Sequence, residues 1–135
     1  MSNKIDNIEG IGPAMAEKLR AAGILTVEGL LKAGHNKSGR KAIAQGSGID
    51  EKKILKWVNM ADLYRIKGVG SETSELLEAS GVDTLKELRN RNAANLHSAM
   101  NDLNAKKKLV RRVPSLKQLE NFVDQAKGLD PMVSH

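Results

Sequence analysis

The chain has 135 residues, 40% hydrophobic and 28% charged, with a net charge of +6, and its 33 Leu, Ile, Val and Phe residues suffice for a folded core rather than a disordered chain. No apolar run approaches the roughly 20 residues of a spanning helix, the N-terminus lacks the apolar stretch of a signal peptide, and the absence of cysteine excludes disulfides, iron–sulfur clusters and thiolate zinc sites. A cytoplasmic protein with no membrane partner is therefore expected. The basic balance favours a polyanionic partner, while Trp57, Tyr64 and Phe122 are too few aromatics for reading single strands by base stacking.

In chain order, a short apolar segment through Ile5 and Ile8 leads into Gly10-Ile11-Gly12 and then Pro13, which suits the first turn of a helix ending before Gly23. Thr26 stands where a second helix should begin. A third helix is expected from about Ser38 to Gln45, and a fourth after Asp50 carries Ile54, Leu55, Val58 and Ala61. The chain then repeats itself. Residues 63–92 align with 5–34 at an offset of 58 with no gap and 9 identities in 30 positions, among them Gly10/Gly68, Gly12/Gly70, Gly23/Gly81 and Thr26/Thr84.

The second copy should form helices from Ser71 to Ser80, from Thr84 with a capping box Thr84-Leu85-Lys86-Glu87, from Asn92 to Leu103, and from Ser115-Leu116-Lys117-Gln118 onward. Near the end of each copy, Trp57-Val58-Asn59-Met60-Ala61 matches Phe122-Val123-Asp124-Gln125-Ala126 at an offset of 65, which places a seven-residue insertion in the second copy. Trp57 and Phe122 thus occupy equivalent, packing positions. No segment alternates with period two, so the class is all-α, as two tandem four-helix units packed as a pseudo-symmetric compact domain. The units span 1–62 and 63–129, followed by a tail over 130–135.

Gly10-Ile11-Gly12 and Gly68-Val69-Gly70 each permit a tight turn with positive φ, with the middle residue directed into the core. Backbone N–H groups of the turn and of the first helical turn then face outward, a geometry suited to phosphate. The pattern, Ile8, Gly10, Ile11, Gly12, Ala16 and Leu19 in one copy and Ile66, Gly68, Val69, Gly70, Ser74 and Leu77 in the other, resembles the helix-hairpin-helix family. The whole chain is similar to an uncharacterised prokaryotic family with two such repeats, a domain of unknown function, through stretches such as Lys56-Trp57-Val58-Asn59-Met60-Ala61-Asp62-Leu63 and Gly81-Val82-Asp83-Thr84-Leu85-Lys86-Glu87-Leu88. The broader resemblance implies sequence-nonspecific DNA binding through the hairpin backbone, with two hairpins straddling one duplex, and nothing catalytic.

The charge departs from that pattern. Phosphate-binding hairpins usually have Lys or Arg near the start of the second helix. Here Ala14 and Met15 take those places, with Lys18 and Arg20 later, and the second copy has Glu72, Glu75 and Glu78 with only Lys67 nearby. Positive charge concentrates instead at matching places further along. Residues 36–58 contain Lys37, Arg40, Lys41, Lys52, Lys53 and Lys56 against Asp50 and Glu51, a local +4. Residues 105–112 contain Lys106, Lys107, Lys108, Arg111 and Arg112 with no acid, a local +5. If a pseudo-twofold relates the units, it relates these patches, which can then grip two runs of phosphates or merely be solvated faces.

His35, His97 and His135 lack companions at ligand spacing, and no nucleophile motif, phosphate loop or dinucleotide fingerprint is present. No catalysis, metal, cofactor or small-molecule substrate is expected. Two readings remain: a module binding double-stranded DNA through both hairpins and both patches, and a protein-interaction or scaffold module that keeps the fold without DNA. The acidic Glu72–Glu78 helix opposite the basic 105–112 stretch motivates the second, through head-to-tail self-association or another protein partner.

Overall fold

Pro13 has no N–H to leave unpaired in a first helical turn, and Gly12 before it is extended (φ −81°, ψ 179°), so helix α1 opens there and runs Pro13–Ala21. This is seen in a computed structural model, which describes residues 4–8 and 10–134. The Thr26 hydroxyl accepts the Gly29 N–H at 2.9 Å to open α2 (Val27–Ala33), and the Asn36 side chain accepts from Gly39 at 2.8 Å to open α3 (Lys37–Ser47). Helix α4 follows as Glu51–Leu63. A 3-10 turn at Ile5–Asn7 precedes α1, and a lone antiparallel bridge between Lys4 and Thr26 is the nearest approach to a strand among the described residues.

The second half repeats this order as α5 (Ser71–Ala79), α6 (Leu85–Arg89), α7 (Ala93–Lys107) and α8 (Leu116–Lys127). The all-helical class read from the sequence holds, with two refinements. The third helices are longer than their apolar positions suggested, because polar residues continue both beyond Gln45 and Leu103. The seven extra residues are also a net figure. Helices α3 and α7 start 56 residues apart, against 65 for α4 and α8, so the second copy loses two residues before its third helix and gains nine after that helix begins. Four of the nine lengthen α7 from 11 to 15 residues, and the rest extend the loop that follows.

The capping box expected at Thr84 is half made. Thr84 accepts the Glu87 N–H at 3.1 Å, but the Glu87 carboxylate takes Arg91 Nε at 2.9 Å rather than reaching back. The full reciprocal box forms at Ser115 and Gln118.

The chain divides into two compact units, Met1–Asp62 with Met132–His135, and Leu63–Pro131. In the first, α1 and α2 both pack on α3, and Ile5, Ile8, Leu19, Leu30 and Ile54 are excluded from solvent. In the second, α8 packs on α6 and α7 around Ile66, Leu77, Leu85, Leu88, Met100 and Leu119. The end of the chain is held by the first unit: Met132 N–H donates to the Asp62 carboxylate at 3.3 Å, and Ser134 N–H to the His35 carbonyl at 2.7 Å. Asp130 stays with the second, its carbonyl accepting Arg65 Nη1 at 2.7 Å.

Candidate functional site

The two glycine turns are built alike. Ile11 N–H returns to the Ile8 carbonyl and Val69 N–H to the Ile66 carbonyl, both at 3.1 Å, with Gly10 (φ +94°) and Gly68 (φ +99°) in the left-handed region that closes such a turn. The Ile11 and Val69 side chains are buried, as expected, but their N–H groups are consumed by the turn and cannot serve a phosphate. Beneath each turn lies an aromatic ring of the unit's own fourth helix: a Cβ on Gly10 would stand 3.4 Å from Trp57 Nε1, and one on Gly68 2.9 Å from Phe122 Cε1. The donors that remain are those after the turn. Thr26, Asn36, Thr84, Asn92 and Ser115 cap α2, α3, α6, α7 and α8 with their side chains, whereas Gly12 and Gly70 leave the first turns of α1 and α5 without a side-chain cap. Apart from the glycine itself and its two chain neighbours, no described atom lies within 4 Å of where a Cβ on Gly12 or Gly70 would be.

The surroundings of the turns are unequal. The cleft beside the first is lined by Asp6, Ile11, Pro13, Glu17 and Arg20, and Arg20 already pairs with Asp6 at 3.9 Å. Lys18 is exposed on α1 but is not among those lining residues. At the second turn, positive charge arrives from outside the hairpin. Lys67 shares a cleft of about 380 Å³ with Gly68 and with Lys117 of α8. Arg111, from the loop after α7, reaches within 4.0 Å of Glu72 at the start of α5. The acidic second hairpin is thus partly neutralised by residues distant in sequence.

Of the first basic patch, Lys37, Lys41, Lys52, Lys53 and Lys56 are exposed on α3 and α4. Arg40 is not. It is 5% exposed, donating from Nη1 to the Gly34 carbonyl at 2.9 Å and from Nη2 to the Ser134 carbonyl at 2.7 Å. Burial pulls its pKa below the usual guanidinium value, opposed by the nearby Glu51 carboxylate. Arg40 therefore leaves the patch and becomes a structural clamp on the chain end.

In the second patch Lys106, Lys107, Lys108, Arg111 and Arg112 are all exposed. The end of α7 and the loop that carry them are held rather than loose: the Asn104 side chain accepts the Val110 N–H at 3.0 Å and donates to the Val110 carbonyl at 3.1 Å. Lys108 caps α7 with φ +50°, the one non-glycine residue in the left-handed region among those described.

Sequence reasoning missed Lys117, Gln118, Asn121 and Gln125, which bring α8 to the second turn. The Gln125 amide accepts the Lys67 N–H at 2.9 Å and donates to the Lys67 carbonyl at 3.1 Å. The match of Phe122-Val123-Asp124-Gln125 to Trp57-Val58-Asn59-Met60 was the available signal, since Met60 cannot make that pair. Among the described residues no group of three or more potential metal ligands converges, and no helix is long and apolar enough to cross a membrane.

The sequence model of a family described as Domain of unknown function (DUF4332) matches residues 9–129. The chain belongs to that family. The match covers both glycine turns and both basic stretches, and bears out the likeness to an uncharacterised domain family read from the sequence. No curated protein and no solved structure matches the chain.

Proposed function

We propose that this member of the family is a non-catalytic module that binds duplex DNA without sequence preference. The first-turn amides of α1 and α5 take backbone phosphates, and Lys67, Lys117 and the two exposed basic patches supply the attraction. The observation that carries the reading is the contrast in capping: α2, α3, α6, α7 and α8 satisfy their first amides with a side chain, and the two helices that follow glycine turns do not. Exposed N–H groups at a helix start favour an anion through both hydrogen bonding and the helix dipole.

The test replaces Gly12 and Gly70 by Asp. Both positions have extended, negative φ and open space, so the fold tolerates the change; relative to glycine a capping side chain stabilises each helix by about a few tenths of a kcal/mol, and its negative charge at the helix start by about 0.3–1 kcal/mol. The same carboxylate occupies the amides and repels phosphate. The doubly substituted protein is expected to melt at a higher temperature and to bind a duplex more weakly at 50 mM salt. A variant that melts higher yet binds unchanged removes the amides from the mechanism.

The alternative, a protein-interaction or scaffold module, rests on the carboxylates of α5 and of the Asp6–Glu17 cleft. Within the second unit, however, Glu72 already faces Arg111, and Glu75 and Glu78 are engaged as well. Head-to-tail self-association has correspondingly less charge to draw on. Sedimentation at low salt across a hundredfold concentration range separates the two readings: growth in mass supports self-association, and a constant monomer counts against it.

A further inference from the structure

We infer that the cleft between the second glycine turn and the start of α8 is a discrete site for a dianionic phosphate group, that of a phosphomonoester or of free phosphate. The inference shares Lys67 and Lys117 with the duplex reading but does not rest on it.

Hydrogen-bond polarity carries the assignment. The Lys67 backbone N–H can only donate, so the Gln125 atom facing it at 2.9 Å is the amide oxygen. Gln125 Nε2 must then donate, and it gives one hydrogen to the Lys67 carbonyl at 3.1 Å and the other to Asn121 at 2.7 Å. The Asn121 atom receiving it is therefore its oxygen, which leaves Asn121 with its NH2 to give. The same logic runs at the helix start. Ser115 N–H donates to Gln118 Oε1 at 2.9 Å, leaving Gln118 its NH2, and Ser115 Oγ accepts the Gln118 N–H at 3.2 Å, leaving Ser115 its hydroxyl hydrogen.

All three side chains line the cleft, together with the ammonium-bearing Lys67 and Lys117, and the lining contains no carboxylate. The clefts lined by Asp6 and Glu17, and by Glu51 beside Lys52, do contain carboxylates. A cleft with two cations, no carboxylate and further hydrogens to give suits a group bearing two negative charges and several acceptor oxygens. A phosphomonoester, with a charge of about −1.5 to −2 and three acceptor oxygens, meets that description better than a carboxylate or a singly charged phosphodiester. Gln125 acts as a positioning residue, holding Lys67 at the rim. In the first unit its place is taken by Met60, so the site is expected in the second unit alone.

The test titrates inorganic phosphate into the ¹⁵N-labelled full chain at fixed ionic strength, with chloride as the control. Saturable shifts at Lys67, Gly68 and Ser115 to Asn121 are expected with phosphate only. Asn121→Asp keeps the oxygen that Gln125 needs and removes the donor, and Lys117→Gln removes one charge. Both positions are exposed, and each change is expected to weaken phosphate binding by about tenfold or more without lowering the melting temperature. Absence of saturation, or saturation that Asn121→Asp leaves unchanged, overturns the assignment whatever duplex binding shows.

Oligonucleotides with a 5′-phosphate and a 5′-hydroxyl then identify the source. Tighter binding of the phosphorylated strand, lost in Asn121→Asp, assigns the site to strand ends. Equal binding of the two strands, with free phosphate still held, assigns it to small phosphate compounds.

Discussion

Gly10 and Gly68 share a backbone conformation but not a neighbourhood, and the difference sets how each responds to an added methyl. At both, a left-handed φ strains any other residue by about 1–2 kcal/mol. At Gly10 the new Cβ would meet Trp57 at an ordinary 3.4 Å, so Gly10→Ala is expected to cost about that strain alone. At Gly68 it would stand 2.9 Å from the ring of Phe122, which is buried and cannot swing aside, so Gly68→Ala is expected to cost about 2–4 kcal/mol. Urea denaturation of the two variants checks the order, and a Gly10 variant as unstable as the Gly68 one contradicts it. Arg40 shows how differently the same residue type can act. Its two donors serve the carbonyls of Gly34 and Ser134, which lie six and 94 residues from it in sequence. Arg40→Met keeps most of the packing and removes both donors, so a loss of about 2–3 kcal/mol is expected in the same assay, with little change in duplex affinity. A large affinity loss at unchanged stability would return Arg40 to the patch.

Among the elements, the loop after α7 is where order and charge meet. Asn104 pairs with both polar groups of Val110 and so fixes the path of a segment carrying three of the patch's five cations, Lys106, Lys107 and Lys108. Asn104→Ala removes that pair while leaving every cation in place. It is expected to raise amide exchange across residues 105–112 and to weaken duplex binding several-fold, because ordering the loop then falls to the binding step. Unchanged affinity alongside faster exchange would mean that loop order is irrelevant to binding. The helices themselves were legible because they announce themselves locally: Pro13 after Gly12, Thr26 and Thr84 at the caps, glycines at 23 and 81, and apolar spacing along α4 and α8. What escaped is non-local. The Gln125 clamp joins residues 58 apart, and Arg111 meets Glu72 across two intervening helices, contacts that leave no period in the sequence. The loss of two residues and gain of nine also hid inside a single offset, since only their difference alters the register of α8.

For the molecule as a whole, the charge is divided evenly. The first unit has ten Lys and Arg against seven Asp and Glu, the second twelve against nine, so each contributes +3 of the +6. Equal charge does not require equal use, and salt dependence tells the two apart. Each phosphate neutralised steepens the fall of log affinity with log salt by about 0.9. Replacing Lys106, Lys107 and Lys108 by Gln is therefore expected to lower the slope by about 2–3 if all three meet phosphates. The same replacement at Lys52, Lys53 and Lys56 lowers it by a like amount only if the first unit also touches the duplex. We expect both triple variants to reduce the slope, and the six-fold variant to reduce it by the sum of the two, because the patches are exposed surfaces of separate compact units with no shared side chain. An effect confined to one triple would make the protein a one-unit binder whose other copy serves a different purpose. No change in either would remove the patches from the mechanism and leave the uncapped helix starts to account for any binding that remains.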